Sequence, residues 1–151
     1  MRYTREEVQA NRERWLEYLR EEGRLKHVGS LENAEAPDER CCLGHGAHCL
    51  DAPRQVVGMD HHIVEYDGES SFLGDNVSEL LNLHKSGQFH DTITIKGQVG
   101  EDDELIEFDN LTQVNDDTSL EPGEIADVIA EQFEKGNLCE LWDFTNHAPT
   151  P

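Results

Sequence analysis

The sequence predicts an α+β fold, with two longer helices over about 4–22 and 122–135, two short helices and a small antiparallel sheet. Three observations point there. Apolar residues recur at helical spacing near both ends of the chain, as Val8, Trp15, Leu16 and Leu19 and as Ile125, Val128, Ile129 and Phe133. Between them, "QFHDTITIKGQV" alternates apolar and polar residues, the period of a half-buried strand. The length of 151 residues suits one domain with its own core, so 1–151 is read as a single unit.

Each element has a local reason. Thr4 and Glu7 form a capping-box pattern ahead of the first helix, and Gly23 is a natural stop. "RLKHVGSL" has β character, and "ENAEAPDE" reads as a polar loop. "RCCLGHGAHCLD", from Arg40 to Asp51, reads as a packed helix closed by Pro53. "QVVGMDHHIVEYDG" supplies one or two short strands ending in an Asp-Gly turn. "GDNVSELLNL" is a short helix with Asp75 as its expected cap. Phe89, Ile93, Ile95 and Val99 then share one strand face, and "ELIEFDNLTQV" is the expected antiparallel partner, reached through the turn "GEDD". "VNDDTSLEPGE" reads as a polar turn feeding the last helix, which Pro122 opens and Gly136 ends. Leu138, Leu141, Trp142 and Phe144 should bring part of the tail back onto the core, and 145–151 should fray.

Composition narrows the function classes. The charged N-terminus has no apolar h-region and no run approaches a membrane span, so neither secretion nor a membrane is expected. Four cysteines, two of them adjacent, do not suggest a disulfide framework, which fits a reducing, intracellular compartment. The formal net charge is -21, and it is unevenly placed. Residues 1–50 hold ten acids and eight bases; residues 51–151 hold twenty-three acids and only Arg54, Lys85, Lys96 and Lys135 as bases. Such a field repels phosphate backbones and argues against nucleic acid as a partner. It suits salt adaptation, a basic protein partner or a carboxylate metal site.

Several constellations are candidates for chemistry. On one helix, Cys41, His45, His48 and Cys49 fall on a single face, and thiolate and imidazole are zinc's preferred ligands. A single straight helix does not wrap four ligands tetrahedrally, so the simpler expectation is no cofactor: Cys42 and Leu43 packed under the first helix, Gly44 permitting close backbone approach, and His45 and His48 at the surface or boundary. A thiol activated by His45 is a third reading. Asp60, His61 and His62 match a triplet known from a phosphoesterase superfamily, without the further aspartate motifs those enzymes need. Asn115, Asp116, Asp117 and Ser119 offer oxygen ligands but lack the glycine and closing glutamate of an EF-hand loop. Asp102, Asp103, Glu104, Glu107 and Asp109 crowd the proposed hairpin, where carboxylates would meet a basic partner most densely.

Three segments together resemble a family of uncharacterised bacteriophage and prophage proteins. They are the tryptophan-bearing helix "RERWLEYLREEG", the tetrad Cys41-Cys42-Leu43-Gly44, and "LTQVNDD" followed by a helix beginning "EIADVI". The "NVSELLNL" helix has a counterpart there, although Leu73-Gly74 stands where that family has Leu-Pro. The resemblance covers about two-thirds of the chain and leaves out 84–110. It implies an accessory protein made in the cytoplasm of an infected host, and it supplies no reaction. His45 and the later placement of Cys49 are particular to this chain.

The leading expectation is therefore a non-enzymatic, phage-type accessory protein that binds a basic host protein stoichiometrically, as a DNA mimic or anti-defence inhibitor. Asp102, Asp103, Glu104, Glu107, Asp109, Asp116 and Asp117 would form the contact surface. A second reading is a binder that sequesters a nucleotide-type ligand between Trp15, Tyr66 or Trp142 and Arg12, Arg20 or Arg24. A third is a metal-dependent hydrolase using His61, His62 and Asp116 or Asp117.

Overall fold

The computed structural model describes residues 3–144, so the expected fraying of 145–151 lies outside the described residues. The fold is α+β, with five α-helices and small sheets among the described residues. Helix α1 (Arg5–Arg20) begins at the expected capping box: Glu7 N–H donates to Thr4 Oγ1 and Thr4 N–H to Glu7 Oε1, both at 3.1 Å. It stops earlier than expected, because Glu21 is already extended and Gly23 takes the left-handed turn. Helix α5 (Pro122–Lys135) has proline in its first turn, a second capping box between Glu121 and Glu124, and Gly136 as a left-handed cap.

These two helices pack side by side and carry the core. Val8, Trp15 and Leu19 of α1 and Ile125, Ala126 and Ile129 of α5 are buried. Burying a large apolar side chain contributes about 1.5–3 kcal/mol each. Trp15 meets Phe133 edge-on, ring centroids 6.4 Å apart, and the Arg12 guanidinium lies 4.2 Å above the Phe133 ring.

The strands divide among three small sheets rather than one. In the first, β1 (Leu25–Lys26) runs parallel to β3 (Ala36–Arg40), and β2 (Glu32–Asn33) runs antiparallel to it. The expected polar loop "ENAEAPDE" is thus the tip of a hairpin, with Asn33 Oδ1 accepting from Glu35 N–H at the turn. Helix α2 (Cys42–Cys49) follows. Strands β4 (Arg54–Val57) and β5 (Ile63–Tyr66) form a regular antiparallel pair.

Helix α3 (Asp75–Leu81) is capped differently from expectation. Gly74 is its N-cap, and Asp67 reaches across to accept from Asn76 N–H at 2.9 Å. A Cβ on Gly74 would sit 2.6 Å from Asp67, so glycine makes room for that cap. Asn82 ends the helix in the left-handed region and holds the tail: its Oδ1 accepts from the Leu141 and Trp142 amides.

Strand β6 (Gln88–Ile93) pairs with β7 (Phe108–Asn110), confirming an antiparallel partnership with a shorter ladder than expected. Ile95 and Val99 lie beyond the end of β6, and the connection folds back through a bridge between Val99 and Leu105. "LTQVND" is not strand but helix α4 (Leu111–Asp116), because Asn110 turns the chain by accepting from Gln113 N–H.

Candidate functional site

The first helix turn of α2 is built where three chain segments converge. Cys41 is the N-cap, its Sγ accepting from Gly44 N–H at 3.3 Å. Asn115, fully buried at the end of α4, accepts the Cys42 N–H at 3.0 Å and donates to the His27 carbonyl. The CCLG and NDD segments are therefore joined by a hydrogen bond. Trp15 adds the third segment, donating through Nε1 to the Cys42 carbonyl at 2.9 Å. The Leu31 carbonyl, which accepts from Cys41 N–H, lies so close that a Cβ on Gly44 would fall 1.9 Å from it. Gly46 likewise faces the Trp15 ring, with 3.0 Å from a Cβ to Nε1. Packing by Cys42, Leu43 and the glycines matches the packed-helix expectation.

The histidines correct it. His45 is not at the surface; it is fully buried, its Nε2 donating to the Leu25 carbonyl at 2.7 Å. That bond requires the Nε2–H tautomer, which leaves the Nδ1 lone pair buried without a partner among the described residues. Burial, chiefly, pushes its pKa down to about 4. Burial also pushes the Cys41 thiol up to about 12 and Cys49 to about 11, and raises Cys42 well above its ordinary value. Thiols raised in this way stay protonated at neutral pH, which makes them poor nucleophiles. Cys41, His45, His48 and Cys49 each engage their surroundings separately: Cys49 Sγ donates to the Gly46 carbonyl, and His48 approaches Tyr66 Oη at 3.4 Å. Among the described residues no three His, Cys, Asp or Glu side chains converge to hold a metal ion.

Beside α2 stands a buried charged layer that sequence reasoning missed. Glu32, with its side chain fully buried, accepts from Arg40 Nε at 2.8 Å, Arg54 Nη2 at 2.6 Å and Tyr66 Oη at 2.5 Å. Burial alone would raise the Glu32 carboxyl, but the bonds from Arg54, Tyr66 and Arg40 outweigh it and hold the carboxyl below its ordinary value. Tyr66 is pushed up to about 12, first by burial and then by its bond to Glu32. Nothing in "LENAEAPDER" marks Glu32 as interior, because its partners arrive from β3, β4 and β5. The layer ties the first sheet to the β4–β5 hairpin. Tyr66 and Trp15 are packed interior groups and present no face to a ligand.

The remaining candidates lie apart. His61 and His62 are exposed on the β4–β5 connection, where Asp60 and His61 have positive φ. Asp116 is half-buried at the end of α4, its Oδ1 accepting from Gly29 N–H and Asn115 Nδ2, so it belongs to the fold rather than to a free acidic surface. Asp102, Asp103, Glu104, Glu107, Asp109 and Asp117 are all exposed. They form part of a larger field. Of fourteen carboxylates between 91 and 134, thirteen are exposed, and Lys96 is the single cation in that span. Arg54 and Lys85 are occupied by Glu32 and Asp75, and Lys135 by Glu131. No helix among the described residues is long and apolar enough to cross a membrane. No protein family, curated protein or solved structure matches this chain.

Proposed function

We propose that this chain is a phage-type accessory protein that acts by stoichiometric binding of a basic host protein through its acidic face. The observation that supports this most is the acidic field: thirteen exposed carboxylates over 91–134, of which Asp127 and Glu131 are paired with Arg20 and Lys135, with Lys96 the one cation in that span. Exposed charges of one sign repel one another, and a cationic surface relieves that repulsion while releasing both sets of counterions. The mechanism is occupancy. Carboxylates at 101–109 and on α5 cover the residues with which the partner would hold a phosphate track. The "CCLG" and "NDD" segments support the phage-type part of the reading.

The test is capture from host extract on the immobilised protein, followed by affinity measurement with the purified captured protein across a salt series. A chain with Asp102→Asn, Asp103→Asn, Glu104→Gln, Glu107→Gln and Asp109→Asn is the comparison. We expect binding to weaken steeply from low to moderate salt, and the neutralised chain to bind at least about tenfold more weakly at low salt. Affinity that does not change with salt, or that survives neutralisation, would refute the reading.

A further inference from the structure

The acidic face contains an unfinished sheet edge. On one side β6 pairs with β7, from Gln88 opposite Asn110 to Ile93 opposite Phe108. On the other side the segment 137–139 runs along it only as far as Asp91. Cys139 N–H donates to the Gln88 carbonyl at 2.8 Å and His90 N–H to the Asn137 carbonyl at 2.7 Å. The last contact is made by a side chain: the Asn137 carboxamide accepts from Asp91 N–H at 2.9 Å and donates to the Asp91 carbonyl at 3.0 Å. An amide group thus occupies the place where the next peptide unit of a neighbouring strand would sit. Gly136, the left-handed cap of α5, then takes the chain away. From Thr92 onward no described strand flanks β6 on that side.

What lies there instead is a groove of about 410 Å³ between residues 91–94 and the end of α5, lined by Asp91, Thr92, Thr94, Glu131 and Lys135 among others. Thr92 and Thr94 are exposed, in a β-branched run that favours extended backbone. An open edge of this kind is a template for another strand.

We infer that this groove receives an extended, basic segment of the partner, which adds as a strand to the short open edge of β6 beyond Asp91, at Thr92–Ile93. Its backbone would continue the pattern that the Asn137 carboxamide begins. Its arginine or lysine side chains would meet Asp91 and Glu131, the latter in competition with Lys135, now 2.9 Å from Glu131. The charge selects the occupant. A second copy of this chain would bring its own Asp91 to the same edge, its Glu131 being paired with its Lys135, and the like charges of the two Asp91 side chains oppose that pairing. This inference rests on the proposed binding of a basic protein and adds the place and mode.

The experiment uses the full chain and two peptides. One alternates arginine with valine; the other has the same sequence N-methylated throughout, which keeps the charge and removes every backbone donor. Affinity is measured by fluorescence anisotropy at low salt, and amide hydrogen exchange locates the site. Edge pairing predicts that methylation weakens binding roughly tenfold, as expected for losing the backbone pairing at Ile93. It also predicts new protection at Ile93, the next residue whose backbone faces the same side as Asp91. Equal affinity for both peptides, or protection confined to 101–109, would overturn edge pairing while leaving the electrostatic reading standing. If neither peptide binds, both readings fall.

Discussion

Replacing Gly44 by alanine should destabilise this protein, against the usual sign for a helix. In an unobstructed helix the change is favourable by up to about 1 kcal/mol, because glycine has the greater backbone freedom to lose. Here the added Cβ would lie 1.9 Å from the Leu31 carbonyl oxygen, and ordinary contact begins near 3.4 Å. The obstacle is backbone, so α2 and the 30–32 segment must separate by about 1.5 Å at this point. That movement breaks the buried bond from Cys41 N–H to the Leu31 carbonyl, 3.1 Å in the native chain. Losing such a bond costs about 1–3 kcal/mol, and overpacking a close-packed site adds about 1–3 kcal/mol. After subtracting the propensity gain of up to about 1 kcal/mol, the net loss is about 1–5 kcal/mol. Urea denaturation should show a lower midpoint at unchanged slope, and the melting temperature should fall by roughly 2–20 °C. A Gly44→Ala chain as stable as the parent would refute the close-approach argument.

Two further outcomes follow from the buried polar groups. Glu32→Gln should cost about 3–5 kcal/mol in the same urea assay, chiefly because it leaves buried Arg40 facing a neutral amide, with Arg54 partly exposed beside it; a loss below about 1 kcal/mol would mean that the layer is solvated. His45 has a folded pKa depressed to about 4, so between about 6.5 and 4 the unfolded chain binds a proton that the folded chain refuses. Stability therefore falls as pH drops through that window, by about 3 kcal/mol in all, and His45→Leu should flatten the slope there; an unchanged slope would remove His45 as the cause. Glu32, depressed in the folded state, acts lower: its contribution is present above about 4.3 and is lost as pH falls through its folded pKa.

The parts of this protein governed by neighbours in sequence were legible from the chain alone. The Thr4–Glu7 box, Pro122 and Gly136 set the ends of α1 and α5, because a cap acts within one helical turn. The packed Cys42–Leu43 helix and the close approach at Gly44 were legible too, since only glycine leaves that space. The exposed carboxylates of the 101–109 connection needed no more than composition.

Other features were settled by partners far along the chain. "LTQVND" closes the segment expected to be a strand, yet it is a helix with Leu111 and Val114 on its buried side, and buried Asn115 on it satisfies the Cys42 amide and the His27 carbonyl. Glu32 stands in a polar stretch and is interior because Arg40, Arg54 and Tyr66 surround it. His45, a boundary residue by helical spacing, is buried under the Leu25 carbonyl. Sequence by itself determined the fold class, the long helices and the sign of the surface, all of which depend on short-range periodicity, caps and net charge. Only tertiary structure decided which polar groups lie inside and which strand edge stays open, because desolvation and pairing depend on groups that meet only once the chain has folded.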